Sequence, residues 1–124
     1  MRRLGLILIL TAIAQPAFAQ GTATGGNSLG WTQTGPDLAT VSAYTYKHYD
    51  DASATGVAFT GVTCAASTTT PGAFDCQAPF PAFTPGSHSM AMTASNVAGE
   101  SAKSSPLSFV FVVVPAVPTS LRIK

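Results

Sequence analysis

The sequence predicts an all-β protein, because short alternating segments recur between turn sequences. The clearest of these segments, His88–Asn96, lies between the turn sequences Pro85-Gly86 and Gly99-Glu100. A second alternating segment spans Phe74–Phe80, and an apolar run rich in Phe and Val spans Pro106–Val114. Alternation with a period of two is typical of β-strands, and Pro and Gly mark the turns between them.

The segment Pro85–Ser101 also resembles a known family. It reads Pro-Gly, then an alternating strand that ends Ala-x-Asn, then a Gly-x-Ser turn. This order resembles strand F and the F–G turn of a fibronectin type III or related immunoglobulin-like domain, of the kind found in bacterial and phage proteins. Pro106–Val114 then matches strand G, and Trp31 resembles the buried Trp of strand B. The resemblance implies one antiparallel immunoglobulin-like sandwich over residues 31–114.

Within the predicted strand F, every second side chain points to the same face. Counting back from Asn96 places Ala94, Met92, Met90 and His88 together, and we expect this face to lie in the core. The resemblance places His88 where the family carries its tyrosine-corner aromatic, but His88 lacks the hydroxyl. We expect Thr93, on the opposite face, to tolerate a charge.

The first residues predict a secretory signal peptide, residues 1–19. Arg2-Arg3 is a short basic region, Leu4–Ala14 is apolar, and Ala17-Phe18-Ala19 predicts cleavage after Ala19. The apolar run is shorter than the roughly 20 residues that a membrane-spanning helix needs, which disfavours a retained anchor. We therefore expect a secreted, periplasmic or cell-surface protein, exported by a Sec-type route, with no transmembrane segment in the mature chain.

The remaining chain divides into three parts by composition. Residues 20–30 are rich in Gly and Thr and predict a flexible lead. Residues 31–114 form the sandwich, and residues 115–124 form a Pro-containing tail. This tail resembles the linker and first strand that begin a following fibronectin type III domain. It either folds back on its own domain or pairs with the sheet edge of a neighbour.

The two cysteines, Cys64 and Cys76, predict one disulfide, because an exported chain with an even number of cysteines usually pairs them. The competing interpretation is a metal site. His48 and His88 give no ligand spacing typical of zinc sites, so we expect neither a metal nor another cofactor.

The segment Leu38–Tyr49 alternates, is rich in Tyr, Thr and Val, and predicts strand C. Its three tyrosines, Tyr44, Tyr46 and Tyr49, are the candidate binding surface, because exposed tyrosines supply contact area in recognition. Alternation places Tyr44 and Tyr46 on one face and Tyr49 on the other. Packing of the tyrosines across a sheet is the simpler interpretation.

No residue pattern supports catalysis, and we expect no enzyme. Gly26–Gly30 matches Gly-x-Ser-x-Gly, but neither the preceding strand nor the following helix of a nucleophile elbow is predicted. His48, Asp50 and Asp51 are typical of a solvated turn, and Glu100 is the sole glutamate. Charged residues make up 9% of the chain with a net charge of +1, which offers no basic surface for nucleic acid.

The resemblance and the composition together predict an exported, non-catalytic binding or adhesion module. Its ligand is an unidentified protein or carbohydrate. The alternatives are a structural subunit that self-associates by strand exchange through residues 115–124, and a phage-encoded virion accessory protein.

Overall fold

Two β-sheets pack face to face in the computed structural model, which describes residues 21–124. The predicted signal peptide, with its cleavage site after Ala19, lies outside the described residues. The all-β sandwich predicted from the sequence is confirmed. The described elements are β1 (Gly21–Ala23), β2 (Ser28–Thr34), α1 (Leu38–Ser42), β3 (Thr45–Asp50), β4 (Val57–Ala58), β5 (Thr63–Ala66), β6 (Ala73–Pro79), β7 (Gly86–Asn96), β8 (Gly99–Glu100) and β9 (Leu107–Phe111).

The larger sheet has six strands in the order β1-β9-β7-β3-β4, with β8 paired to β7. The smaller sheet has three strands in the order β2-β6-β5. One pair, β1 with β9, is parallel, and the other described pairs are antiparallel. The expectation of a wholly antiparallel sandwich is therefore wrong at β1.

The Gly- and Thr-rich lead, predicted flexible over residues 20–30, forms strands and a turn from residue 21 onward. It contains β1 and the start of β2, and it contributes two buried side chains, Ala23 and Leu29, to the core. Between the strands the Asn27 side chain accepts a hydrogen bond from the Thr24 amide at 2.7 Å. Asn bonds readily to nearby backbone in this way and so stabilises a turn. Composition predicted flexibility here because small residues carry little of the alternation signal.

The predicted strand C, residues 38–49, is a helix in its first half. Asp37 caps α1 by accepting a hydrogen bond from the Thr40 amide at 2.7 Å. The helix places Val41 in the core, where its exposed fraction is 0%. Asp is a strong N-cap residue, and one cap with one buried contact is enough to override weak strand alternation over five residues. The strand itself is β3 and begins at Thr45.

The core between the sheets consists of two clusters that share Trp31 and Phe59. The first cluster contains the aromatic side chains of β9 and the loop before β7, and the second surrounds Tyr46 and Cys76. In the first, the Phe109 ring meets Phe80 and Phe83 edge-on at centroid distances of 5.1 and 4.9 Å. Edge-on geometry is favourable for aromatic pairs.

Strand β7 covers the predicted strand F. Met90 lies in the first cluster with 3% exposure, while Met92 and Ala94 pack partly buried against the second. His88 lies at the rim of the core, with its ring centroid 4.9 Å from that of Phe83. Thr93 faces the other side, yet it is only 4% exposed. A charge at Thr93 would therefore be buried, and the expected tolerance there is wrong.

A tyrosine that bonds to upstream backbone is present, but on β3. The Tyr46 hydroxyl donates to the Val41 carbonyl at 2.8 Å, five residues upstream. This bond joins the end of α1 to the sheet in the middle of the second core cluster.

Candidate strand-binding edge

The predicted disulfide is present and lies within one sheet. Cys64 of β5 and Cys76 of β6 are directly opposite each other, with their Cα atoms 4.0 Å apart. The Cys76 side chain is buried, and its sulfur lies 3.9 Å from the Tyr46 hydroxyl oxygen. The bond therefore links the two strands on the core side of the smaller sheet.

The three tyrosines do not form one surface. Tyr46 is a core residue with 2% exposure. Tyr44 is half-buried beside it, with ring centroids 6.3 Å apart. Tyr49 lies on the opposite face of the larger sheet, where the Lys103 ammonium covers its ring at 4.3 Å. Strand alternation separates Tyr49 from the other two, and core packing removes Tyr46 from any ligand.

Tyr49 belongs to a network centred on Glu100. The hydroxyls of Tyr49 and Thr93 both donate to Oε1 of Glu100 at 2.5 Å, and the Lys47 ammonium lies 3.9 Å from Oε2. The Thr93 bond, and after it the Tyr49 bond, lowers the pKa of Glu100. The bond to Glu100 in turn raises the pKa of Tyr49. The hydroxyls of Tyr49 and Thr93 are therefore engaged within the fold.

The histidines form separate pairs with carboxylates. Nδ1 of His48 lies 2.8 Å from Asp50, and Nδ1 of His88 lies 2.7 Å from Asp51. Nε2 of His88 lies 2.7 Å from the Thr84 carbonyl oxygen, which can only accept. The bond to Asp51, and after it the bond to the Thr84 carbonyl, raises the pKa of His88. Among residues 21–124, no three His, Cys, Asp or Glu side chains lie close enough together to hold a metal ion.

The Gly-x-Ser-x-Gly match, Gly26–Gly30, spans a turn and the start of β2. The α/β-hydrolase elbow needs its serine between a strand and a helix. Here Ser28 is the first residue of an edge strand, so the geometry of an elbow is not present.

Among the terminal strands of the two sheets, β2 is the one whose free edge adjoins an apolar groove. In the part of the chain that the structure describes, β2 pairs with β6 on one side and with no strand on the other. An unpaired strand edge presents backbone donors and acceptors to any extended chain that approaches it.

The register identifies which backbone groups of β2 point outward. The short Cα distance of 4.0 Å marks Cys64 and Cys76 as a non-hydrogen-bonded pair, so the backbone groups of Cys76 point towards Trp31 of β2. Bonding alternates along an antiparallel pair, so the N–H and C=O groups of Gly30 and Thr32 point to the free edge. Pro79 agrees with this phase, because it has no N–H to exchange with its partner Ser28.

A groove of about 370 Å³ runs beside this edge, between β2 and the larger sheet. Its walls are mainly apolar and come from β2, from β7, from the chain between Ser101 and Leu107, and from Tyr46 of β3. They include Leu29, Trp31, Met90, Met92, Ala94 and Leu107. The groove therefore places apolar side chains directly beside unpaired backbone, which is what an added strand requires.

The opposite wall of the groove offers no second free edge. The amides of Ser101 and Ser104 donate to the carbonyls of Ala94 and Met92 at 2.8 and 2.9 Å. Their hydroxyls accept from the amides of the same two residues, both at 3.0 Å. Serine side chains thus complete the backbone bonding of β7 without a strand. An extended ligand would bond to β2 alone.

The outer face of the smaller sheet adjoins the same edge and carries one charged side chain, Asp75. Thr32 donates a hydrogen bond from its hydroxyl to the Asp75 carboxylate at 3.4 Å. Within residues 21–124, no lysine, arginine or histidine lies within ion-pair distance of Asp75. This carboxylate is therefore available to a cation that arrives along β2.

Sequence reasoning predicted that the tail could pair with a sheet edge, but not which edge is open or what surrounds it. The open edge of β2 exists because β1 pairs with β9 instead, and the short run Gly21–Ala23 carries no signal for that choice. The role of Ser101 and Ser104 was also missed, because serines between a turn and a strand are typical of an ordinary loop.

Comparison with known proteins finds no matching family model, no similar curated protein and no similar solved structure. None of the described helices has the length and apolar character needed to cross a membrane.

Proposed function

We propose that this chain is an exported, non-catalytic binding module of fibronectin type III or immunoglobulin-like type, which binds an extended polypeptide segment along the free edge of β2. The single observation that carries the proposal is the coincidence of unpaired backbone at Gly30 and Thr32 with an apolar groove beside it. Strand addition draws its affinity from main-chain hydrogen bonds and its specificity from alternate side chains in pockets.

The strand order supports the proposed fold family. The smaller sheet, β2-β6-β5, has the order of strands B, E and D of an immunoglobulin-like domain, and β9-β7-β3 has the order of strands G, F and C. The disulfide differs from that of antibody domains, since it joins neighbouring strands of one sheet and not the two sheets. The proposed family membership therefore depends on topology and on the Pro85–Ser101 motif.

Two features support export. The N-terminal sequence has the composition of a signal peptide, with a predicted cleavage site after Ala19. The Cys64–Cys76 disulfide is compatible with an oxidising destination.

The geometry favours a polypeptide over a carbohydrate as the ligand. Outward N–H and C=O groups at every second residue of β2 match the spacing of another extended backbone. The groove walls are mostly apolar, whereas the many hydroxyls of a sugar would need polar partners there.

The test is selection of short peptides from a random display library. The target is the exported full-length chain carrying Leu121→Asp, which removes an apolar side chain from the C-terminal tail so that the tail does not compete for the edge. Thr32→Pro in the same background removes an outward N–H, and proline is tolerated on an edge strand when its missing N–H faces outward. Thr32→Ala is the matched control, because it removes the side chain and keeps the N–H. We expect selected peptides to bind Thr32→Ala and to lose at least about tenfold in affinity on Thr32→Pro. Failure to select any peptide that distinguishes these two variants would refute the proposal.

A further inference from the structure

We infer that the occupant of the β2 edge is the C-terminal segment, residues 116–124, of a second copy of this chain. The inference rests on the proposed function, since it names the ligand of the same edge. It predicts that copies join head to tail, each giving its tail to the next.

The tail has the pattern of a half-buried strand without being one. Val117, Leu121 and Ile123 share one face of an extended tail with Thr119, and all three are strongly exposed in the structure, Ile123 completely. Alternation of this kind is typical of a strand with one covered face. No strand of the described chain includes residues 112–124, so this apolar face has no cover in the single copy.

The apolar face of the tail fits the groove that β2 leaves open. A strand added at β2 continues the smaller sheet, so its alternate side chains turn towards the larger sheet. Val117, Leu121 and Ile123 would then lie against the groove walls, which include Leu29 and Met92. The one addition would cover the exposed side chains of the tail and also bond the outward backbone of β2.

Charge agrees with this placement. With the apolar residues inward, Arg122 and Lys124 lie on the outer face of the smaller sheet. That face carries Asp75, for which the described residues provide no ion-pair partner. The tail contains two cations and no acidic residue. The pairing of cationic tail and acidic face favours the placement with the apolar residues inward.

The direction of the chain favours a second copy over the tail's own domain. Leu107, at the start of β9, lines the groove, and the strand then runs four residues away from it, a distance of about 13 Å. The Val112 amide still donates to the Ala23 carbonyl at 2.9 Å, which holds the chain on this outward course past the end of β9. The tail therefore leaves the sheet beyond Phe111, pointing away from the groove, and must reverse its course to reach the β2 edge of its own copy.

A contact between the tail of one copy and the β2 edge of the next is heterologous. Such contacts do not close on themselves and can extend into a filament. The proposal therefore predicts a ladder of oligomers that lengthens with protein concentration, rather than a single dimer.

The decisive experiment mixes two full-length exported variants in sedimentation velocity. Thr32→Pro retains the tail and loses the edge, while Leu121→Asp retains the edge and loses the apolar tail. We expect each alone to be monomeric, and their mixture to form 1:1 dimers and nothing larger. Ser120→Asn, on the outward face of the tail and without a negative charge beside Asp75, is the matched control and should keep the ladder of the wild-type chain.

A synthetic peptide of residues 116–124 gives a second measurement that does not depend on the folding of Thr32→Pro. We expect it to bind the Leu121→Asp chain. The N–H groups of a strand point alternately to its two edges, so only one alternate set of the peptide faces β2. One peptide is N-methylated at Thr119, Leu121 and Ile123 and a second at Ser120 and Arg122, and we expect one of the two to lose at least about tenfold in affinity. Equal binding of both methylated forms, or a mixture of variants that stays monomeric, overturns the inference. If library peptides still bind the edge in that case, the proposed function survives without this occupant. If none bind, both fail.

Discussion

Tyr46→Phe tests the link between α1 and the sheet, because it removes one hydroxyl and leaves the ring in place. The hydroxyl donates to the Val41 carbonyl inside the second core cluster. We expect the free energy of unfolding to fall by about 1 kcal/mol, the net value of one neutral hydrogen bond. For a domain of this size the melting temperature would fall by roughly 4–8 °C.

The structure decides between that value and a larger one. A buried carbonyl left without any donor would cost up to about 3 kcal/mol. The Val41 carbonyl also accepts from the Tyr44 amide at 3.3 Å, so it keeps a donor after the substitution. The second contact of the hydroxyl, with the Cys76 sulfur at 3.9 Å, is weak. Both observations place the loss near the lower figure.

The assay is urea unfolding of the two chains with a common slope. Tyr46→Ala removes the buried ring as well and should cost about 3–5 kcal/mol, by analogy with other large-to-small aromatic changes. Tyr44→Phe, at a half-buried neighbour, should change little. If Tyr46→Phe matches either Tyr46→Ala or Tyr44→Phe, the argued role of the hydroxyl bond is wrong.

Two further predictions concern the disulfide and pH. Labelling of the denatured, unreduced protein should find no free thiol at Cys64 or Cys76, and reduction should cost about 3 kcal/mol in urea unfolding, as expected for a loop of about a dozen residues. The hydrogen bond to Asp51 raises the pKa of His88 above 6.5, so its contribution to stability is complete below 6.5 and is lost as pH rises through the folded value. The bond from His88 lowers the pKa of Asp51 below 3.8, so that contribution is complete above 3.8 and is lost as pH falls through the folded value. The urea concentration at the unfolding midpoint should therefore be highest between pH 3.8 and pH 6.5. In Asp51→Asn the decrease of this midpoint above pH 6.5 should be smaller than in the wild-type chain, and an equal decrease would contradict the pairing.

Alternation was a sound guide for β6 and β7, each of which has one face in the core. Strand β6 covers Ala73–Pro79, close to the predicted segment, and β7 covers the predicted strand F. The pairing of Cys64 with Cys76 followed from their number and the predicted export. These features depend on local pattern, which the sequence carries directly.

The features that were missed depend on partners distant in the chain. Thr93 lies on the outer face of β7, as alternation requires, but Glu100 covers it and bonds its hydroxyl. Alternation predicts which face a side chain occupies and not what covers that face. The prediction of a strand at residues 38–42 was wrong for a different reason, because the cap at Asp37 outweighs five residues of weak strand pattern.

Of the two halves of the candidate site, the sequence predicts the tail and not the edge that accepts it. The apolar alternation of residues 116–124 is visible in the sequence, and it suggested strand exchange. The acceptor depends on β1 pairing with β9, which leaves β2 open, and three small residues do not encode that choice. The proposed interaction therefore required the sheet order before it could be placed on a defined edge.

Substitutions at Gly35 and Val41 provide a last test. They test the packing of Gly35 against the buried face of α1, in the segment for which the sequence predicted a strand. A Cβ atom built on Gly35 would lie 2.4 Å from Cγ2 of Val41, a side chain with 0% exposure. We expect Gly35→Ala to destabilise the domain by about 1–3 kcal/mol through overpacking, and Val41→Ala to destabilise it by a similar amount through the cavity it leaves. In the double variant the added methyl has the space that the valine vacated, so the two losses should fall short of their sum by at least about 0.5 kcal/mol. Urea unfolding of all four chains measures this coupling, and strictly additive losses would mean that Gly35 does not pack against the buried face of α1.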